Sequence, residues 1–124
     1  PFAVLFTQSQ GESVIHETVY EDRLGYIKDL QKMGADITVT DECLGSDLCR
    51  FHGHTFNHSA KIRGLSRLQG LAMEMTNIRA GMAHLIAALT AEGESVITGV
   101  EHLDRGYEKI DERLKELGAE IKRI

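Results

Sequence analysis

The chain has no tryptophan, and its one proline is the first residue. No internal proline therefore breaks a helix or strand, which leaves glycines and capping side chains to end the elements. Two cysteines, Cys43 and Cys49, are too few for a disulfide framework; they point to a reducing compartment, and a cytoplasmic location is expected. No apolar run reaches the roughly 18 residues of a membrane span, and no signal peptide is visible, so no membrane partner is expected. The charge is not of one sign. It nets −5, with acids and bases interleaved, which argues against nucleic acid as a partner. Neither G-x-x-x-x-G-K nor G-x-G-x-x-G occurs, so no nucleotide cofactor, and no cofactor of any kind, is expected. An initiating methionine is lacking too. The chain opens "PFAVLFTQSQG", already inside an apolar pattern, as a piece of a longer protein would.

What is present suits a modest core: 124 residues, 42% hydrophobic and 27% charged, enough for one α-plus-β unit. The clearest organisation is an internal repeat. Residues 11–23 read "GESVIHETVYEDR" and residues 93–105 read "GESVITGVEHLDR". Each follows an apolar stretch, 2–10 or 78–92, and precedes an amphipathic one, "LGYIKDLQKMGADI" or "GYEKIDERLKELGAEI". In the second, Ile110, Leu114 and Leu117 recur at helical spacing. Gly34 and Gly118 stand where a helix would end, and short strands are expected at 35–40 and 119–124. One unit is thus written twice, over 2–40 and 78–124: buried helix, strand, Asp-Arg, surface helix, Gly-Ala, strand.

Residues 41–75 lack helical period. "DLCRFHG", "SAKIRG" and "GLAMEM" alternate between glycines and predict two or three short strands, with "HGHTFNHS" as an exposed loop. The expected fold is α+β, a layered arrangement of helices against a mixed sheet. Two apolar helices in so short a chain should pack on other parts of a longer protein or on a second copy.

Arg23, Arg79 and Arg105 fall at predicted helix starts, and Arg23 and Arg105 hold equivalent repeat positions. A helix start offers unpaired N–H groups and a positive field, and a guanidinium adds two parallel donors suited to carboxylate or phosphate. One reading is an anion site. The other is local: Asp22, Asn77 and Asp104 as N-caps, with the arginines paired to acids such as Glu21 or Glu108. Cys43, Cys49, His52, His54 and His58 are spaced C-x5-C-x2-H-x-H-x3-H. That spacing matches no common zinc knot, and no metal ligand is assigned. His84, alone within an apolar helix, reads as a hydrogen-bonded core residue.

"ETVYEDRLGYIKDLQKMGADI", "TNIRAGMAHLIAALTAEGES" and "HLDRGYEKIDERLKELGAEIKRI" resemble, in order, the C-terminal third of the enolpyruvyl transferases of the UDP-N-acetylglucosamine 1-carboxyvinyltransferase group, relatives of EPSP synthase. The resemblance covers nearly the whole chain. It implies a βαβαββ unit plus part of the preceding repeat, with apolar helices on the inner face of a mixed sheet. Residues 1–124 would be a single C-terminal segment of one such domain, with 41–75 an inserted β region longer than the family's hairpin. The implied activity moves the enolpyruvyl group of phosphoenolpyruvate to UDP-N-acetylglucosamine, a step of peptidoglycan synthesis.

By motif, the resemblance assigns Arg23 and Arg79 to the phosphoenolpyruvate carboxylate and Arg105 to its phosphate. It assigns Val19 and Tyr20 to the sugar-nucleotide site. Asn77 stands where the family carries the aspartate of Asp-x-Arg, near the reacting centre. An asparagine keeps the hydrogen bonding but exchanges no proton. Other family segments, including a reactive cysteine loop matched by neither Cys43 nor Cys49, are absent, so the chain alone is expected to be inactive. The alternative is a non-catalytic binding or regulatory homologue.

Overall fold

"SAKIRG" alternates after a buried Ser59: Ala60 and Ile62 are fully buried while Lys61 and Arg63 face solvent. That period of two makes it a strand, β3 (Ser59–Gly64). It is the centre of a three-stranded antiparallel sheet. On one side it pairs with β1 (Gly11–His16), from Gly11 opposite Gly64 to His16 opposite Ser59. On the other it pairs with β2 (Asp36–Thr40), from Asp36 opposite Arg63 to Thr40 opposite Ser59. The outer face carries a cross-strand charge ladder. Glu12 meets Lys61 at 3.4 Å and Arg63 at 3.3 Å, and Arg63 reaches Asp36 at 3.6 Å. Such exposed pairs are each worth about 0–1 kcal/mol and chiefly help fix register.

The structure, a computed structural model, describes residues 1–45 and 48–124. Helices α1 (Phe2–Thr7), α2 (Ile27–Lys32) and α3 (Ile78–Thr90) supply the core around the sheet. Ala3 and Val4 of α1, Ile27 and Leu30 of α2, and Ala83 and Ala87 of α3 join Ile37, Ala60 and Ile62 in one cluster. Alanines on α1 and α3 let the two backbones approach closely, and α3 buries Ala80, Gly81, Ala83, His84, Leu85 and Ala87. Helix α1 is only half covered: Phe2 and Leu5 stay 70% and 56% exposed.

A second, two-stranded parallel sheet joins β4 (Ala72–Glu74) to β5 (Val96–Thr98). Beneath it Met75, Leu85 and Leu103 are buried, with Tyr107, Ile110 and Leu114 packed on them from α4 (Glu101–Asp104), α5 (Ile110–Glu116) and the turn between. Both repeats of Gly-Glu-Ser-Val-Ile lead into a strand. Both amphipathic helices end at a left-handed glycine, Gly34 at φ +105° and Gly118 at φ +95°. The N–H after each glycine bonds back into its helix, Ala35 to Leu30 O and Ala119 to Leu114 O, closing the Schellman geometry that favours glycine.

The fold is mixed α+β, but its strands divide between two sheets instead of forming one mixed sheet. Residues 119–124 form no strand. Arg123 instead folds back onto Asp104, at 2.9 and 2.8 Å, and onto Asp111 at 3.0 Å, and these ion pairs hold the tail. Of "DLCRFHG", Asp47 lies outside the described residues; residues 48–53 form no strand, and 50–53 are turn, anchored by a buried Phe51. The "HGHTFNHS" loop is exposed only in part, because His58 is 1% exposed.

Candidate functional site

The stretch between β1 and α2 and the first turn of α3 face each other across a cleft of about 900 Å³. The first wall is shaped locally. Glu17 Oε1 accepts the N–H groups of Val19 at 2.7 Å and Tyr20 at 3.1 Å, folding the chain sharply after β1. Asp22 follows at φ +51°, a left-handed conformation that aspartate tolerates better than most residues. Arg23 comes next, half-buried, its guanidinium 4.0 Å above the Tyr20 ring.

The second wall is the start of α3. Asn77 is its N-cap, and Oδ1 accepts from Arg79 N at 3.2 Å and Ala80 N at 2.9 Å. This is the capping geometry asparagine favours. It also engages two of the N–H groups that would otherwise meet an anion. Attraction at this end therefore rests mainly on the exposed Arg79 guanidinium, whose charge opposes the helix dipole.

Arg23, Asn77 and Arg79 all line the cleft. Val19 and Tyr20 sit on the exposed stretch beside it and contribute no lining atoms, and neither does Arg105. Neither Arg23 nor Arg105 stands at a helix start: Arg23 lies in the turn ahead of α2, which begins at Ile27, and Arg105 is the C-cap of α4, because the helix before it occupies Glu101–Asp104. Asp22 and Asp104 are likewise not N-caps: α2 begins after Tyr26, and Asp104 is engaged by Arg123. None of Arg23, Arg79 and Arg105 pairs with a carboxylate among the described residues. Glu21 is met by Arg50 instead, at 3.5 Å. The local ion-pair reading thus loses its partners.

The cleft also holds groups that sequence reasoning missed. Asp29 of α2 stands 3.1 Å from Nε2 of the buried His84. The approach is too oblique for a good hydrogen bond, and Nδ1 has no partner. Burial pushes the His84 pKa down, opposed in part by the Asp29 carboxylate. Tyr26 also lines the cleft, and burial, then the Glu17 carboxylate, raises its phenol. Helical spacing of His84 within an apolar run signals its burial. Its meeting with Asp29, 55 positions earlier in the numbering, has no local signature. The histidines of the 52–58 loop separate as well. His52 and His54 are exposed, whereas Cys43, Cys49 and His58 gather with His16 from β1.

Comparison with known proteins bears on what this arrangement serves. The family profile for EPSP synthase (3-phosphoshikimate 1-carboxyvinyltransferase) matches residues 1–114. A UDP-N-acetylglucosamine 1-carboxyvinyltransferase of Protochlamydia amoebophila is 49% identical over 121 residues, covering 98% of this chain and 26% of that protein. The protein of the same name from Nostoc sp. is 41% identical over 124 residues, covering 100% of this chain and 24% of its own length. The crystal structure of the enolpyruvyl transferase NikO from Streptomyces tendae superposes with a TM-score of 0.78 at 27% identity, over 98% of this chain and 24% of that one. The chain thus spans about a quarter of the length of these relatives. With a match over nearly all of its residues in both sequence and shape, the chain belongs to the EPSP synthase-like family of enolpyruvyl transferases.

Proposed function

We propose that this chain is the C-terminal segment of an enzyme that transfers the enolpyruvyl group of phosphoenolpyruvate to UDP-N-acetylglucosamine, and that it supplies one side of the anion site. The observation that carries this reading is the convergence of Arg23 and Arg79, neither paired to a described carboxylate, on one cleft. Relatives named for that reaction support the substrates.

In the reaction the sugar 3-hydroxyl gives up its proton as its oxygen bonds to C2 of phosphoenolpyruvate, while C3 takes up a proton. C3 then gives up a proton as the C2–O bond to phosphate breaks, and phosphate departs as hydrogen phosphate, the hydroxyl proton making up the balance. The substrate brings a carboxylate and, until the second step, a bonded phosphate, so the protein's task is to hold fixed cations where charge shifts. Arg79 and Arg23 hold the carboxylate as bidentate donors, each contact worth roughly 1.5–3 kcal/mol when shielded from water. Arg105, outside the cleft, reaches the phosphate only if the rest of the protein closes over it. Val19 and Tyr20 serve the sugar nucleotide from the rim. Asn77 cannot donate or accept the migrating proton, and its Oδ1 is already engaged by α3. That engagement favours a second reading, a binding homologue in which the site is kept and turnover is lost.

The test is phosphate release by the full-length protein from phosphoenolpyruvate and UDP-N-acetylglucosamine. Release is expected, and Arg79→Ala should raise the KM for phosphoenolpyruvate by about 10-fold or more while sugar-nucleotide affinity holds, one charged hydrogen bond being worth that much. Tight binding of both substrates with no phosphate released would establish the binding homologue instead. Equal loss of both affinities in Arg79→Ala would indicate damage to the fold.

A further inference from the structure

His16 ends β1, His58 immediately precedes β3, and Cys43 and Cys49 lie on the long connection between β2 and β3. Pairing of His16 with Ser59 across the sheet brings the first two together. The backbone bond from His58 N to Thr40 O draws the connection to the same corner. One nitrogen or sulfur from each of His16, Cys43, Cys49 and His58 lies within 4.8 Å of all the others. Cys43 Sγ is 3.3 Å from Cys49 Sγ and 3.4 Å from His58 Nε2. Four donors about 2.0–2.3 Å from one tetrahedral ion stand roughly 3.4–3.8 Å from each other. The observed set needs only small adjustments to match.

Three further details suit a ligand set better than a cluster of thiols and imidazoles. His58 Nδ1 lies 3.2 Å from the Phe56 carbonyl, which can only accept. That nitrogen therefore carries the proton, and the Nε2 lone pair turns toward the sulfurs, the arrangement by which carbonyls orient metal-binding histidines. His16 Nε2 is buried with no partner of any kind, a condition costly enough to call for one. Phe51 N donates to Cys49 Sγ at 3.4 Å, a contact that fixes the direction of that sulfur. Gly45 lies against the His16 ring, where any side chain would collide with it. The buried Phe51 ring packs edge-on against the His58 ring, 5.7 Å between centroids, and holds that imidazole in place.

We propose that His16, Cys43, Cys49 and His58 bind one zinc ion as a closed Cys2His2 site. Two thiolates and two neutral imidazoles in tetrahedral reach select zinc among common divalent metals. Binding displaces the two thiol protons to solvent, and the ion keeps its charge state. With all four positions filled by protein, the site is structural and ties the 41–58 connection to the end of β1. The effect reaches the cleft wall: Arg50, next to Cys49, donates to Val19 O at 3.3 Å and to Glu21 at 3.5 Å. The inference is independent of the substrates proposed above.

The experiment is metal analysis of the full-length protein, expressed without a histidine tag in zinc-supplemented medium. Cys43→Ser, Cys49→Ser and His16→Ala variants are compared with His52→Ala and His54→Ala. About one zinc per chain is expected, near background in the first three variants and undiminished in the last two. Cobalt in place of zinc should give the intense visible bands of a tetrahedral ion and the near-ultraviolet charge transfer of two thiolates. That readout needs no variant to fold. Background zinc in the unaltered protein, zinc unchanged in Cys43→Ser, or a Cys43–Cys49 disulfide found by mass would each overturn the proposal.

Discussion

His84 is held by opposing forces. Burial disfavours its charged form and Asp29 favours it, and burial prevails, so its pKa in the folded chain lies below the ordinary 6.5. A depressed value means the unfolded chain takes up the proton first. The neutral residue's contribution to stability is complete above about pH 6.5 and is lost as pH falls through the folded value. The expected outcome is a melting temperature that drops between pH 7 and pH 5 in the native chain and drops less in His84→Gln. Parallel pH profiles for the two would show that other groups carry the acid sensitivity. Burial of this residue could be read from its place in an apolar helix. Its partner could not, because Asp29 belongs to a surface-patterned helix and nothing in the local sequence brings the two together.

Among the elements, α3 owes its start to Asn77, a residue that also lines the cleft. Asn77 closes the helix start, so Asn77→Ala should cost about 1 kcal/mol in a denaturant titration, the usual worth of such a cap. Asn77→Asp should be neutral or gain a few tenths, since a carboxylate caps equally well and also suits the dipole. A destabilised Asp variant would mean that nearby Glu74 and the other cleft acids outweigh the dipole. The elements themselves were largely legible. Period-two alternation marked β3, glycines marked the ends of α2 and α5, and the apolar run marked α3. The failures share a cause. Strand formation at 119–124 needs a neighbouring strand, which sequence alone does not supply, and here Arg123 found Asp104 and Asp111 instead. The place of Arg105 is illegible for a related reason: α4 is a single turn ending before it, too short for its boundary to be set by hydrophobic period.

At the scale of the whole molecule, the cleft is unbalanced. Glu17, Glu21, Asp22, Asp29 and Glu74 line it beside only two arginines. An anion entering the isolated chain meets more negative than positive charge, so the anion site proposed above requires further cations from outside this chain. Titrating phosphoenolpyruvate into the isolated chain should therefore yield no measurable heat, while the full-length protein binds it. Comparable affinity in the two would show that Arg23 and Arg79 suffice alone. The order of three separated motifs makes the family legible. The gathering of His16 with Cys43, Cys49 and His58 was not, because it depends on strand order and not on spacing.

That strand order also governs the timing of assembly. In the sheet β1 lies beside β3, while β2, made between them, takes the other edge. During synthesis β1 emerges well before β3, its hydrogen-bonding neighbour among the described residues, and β2 must wait as well for the connection at 41–58 to be completed. Non-local pairing of this kind is slow, because loop closure is required before contacts reward it. Early in translation, α1 has the local contacts needed to collapse on β1 and α2 those needed to collapse on β2, and the sheet closes only when its central strand arrives, last of the three.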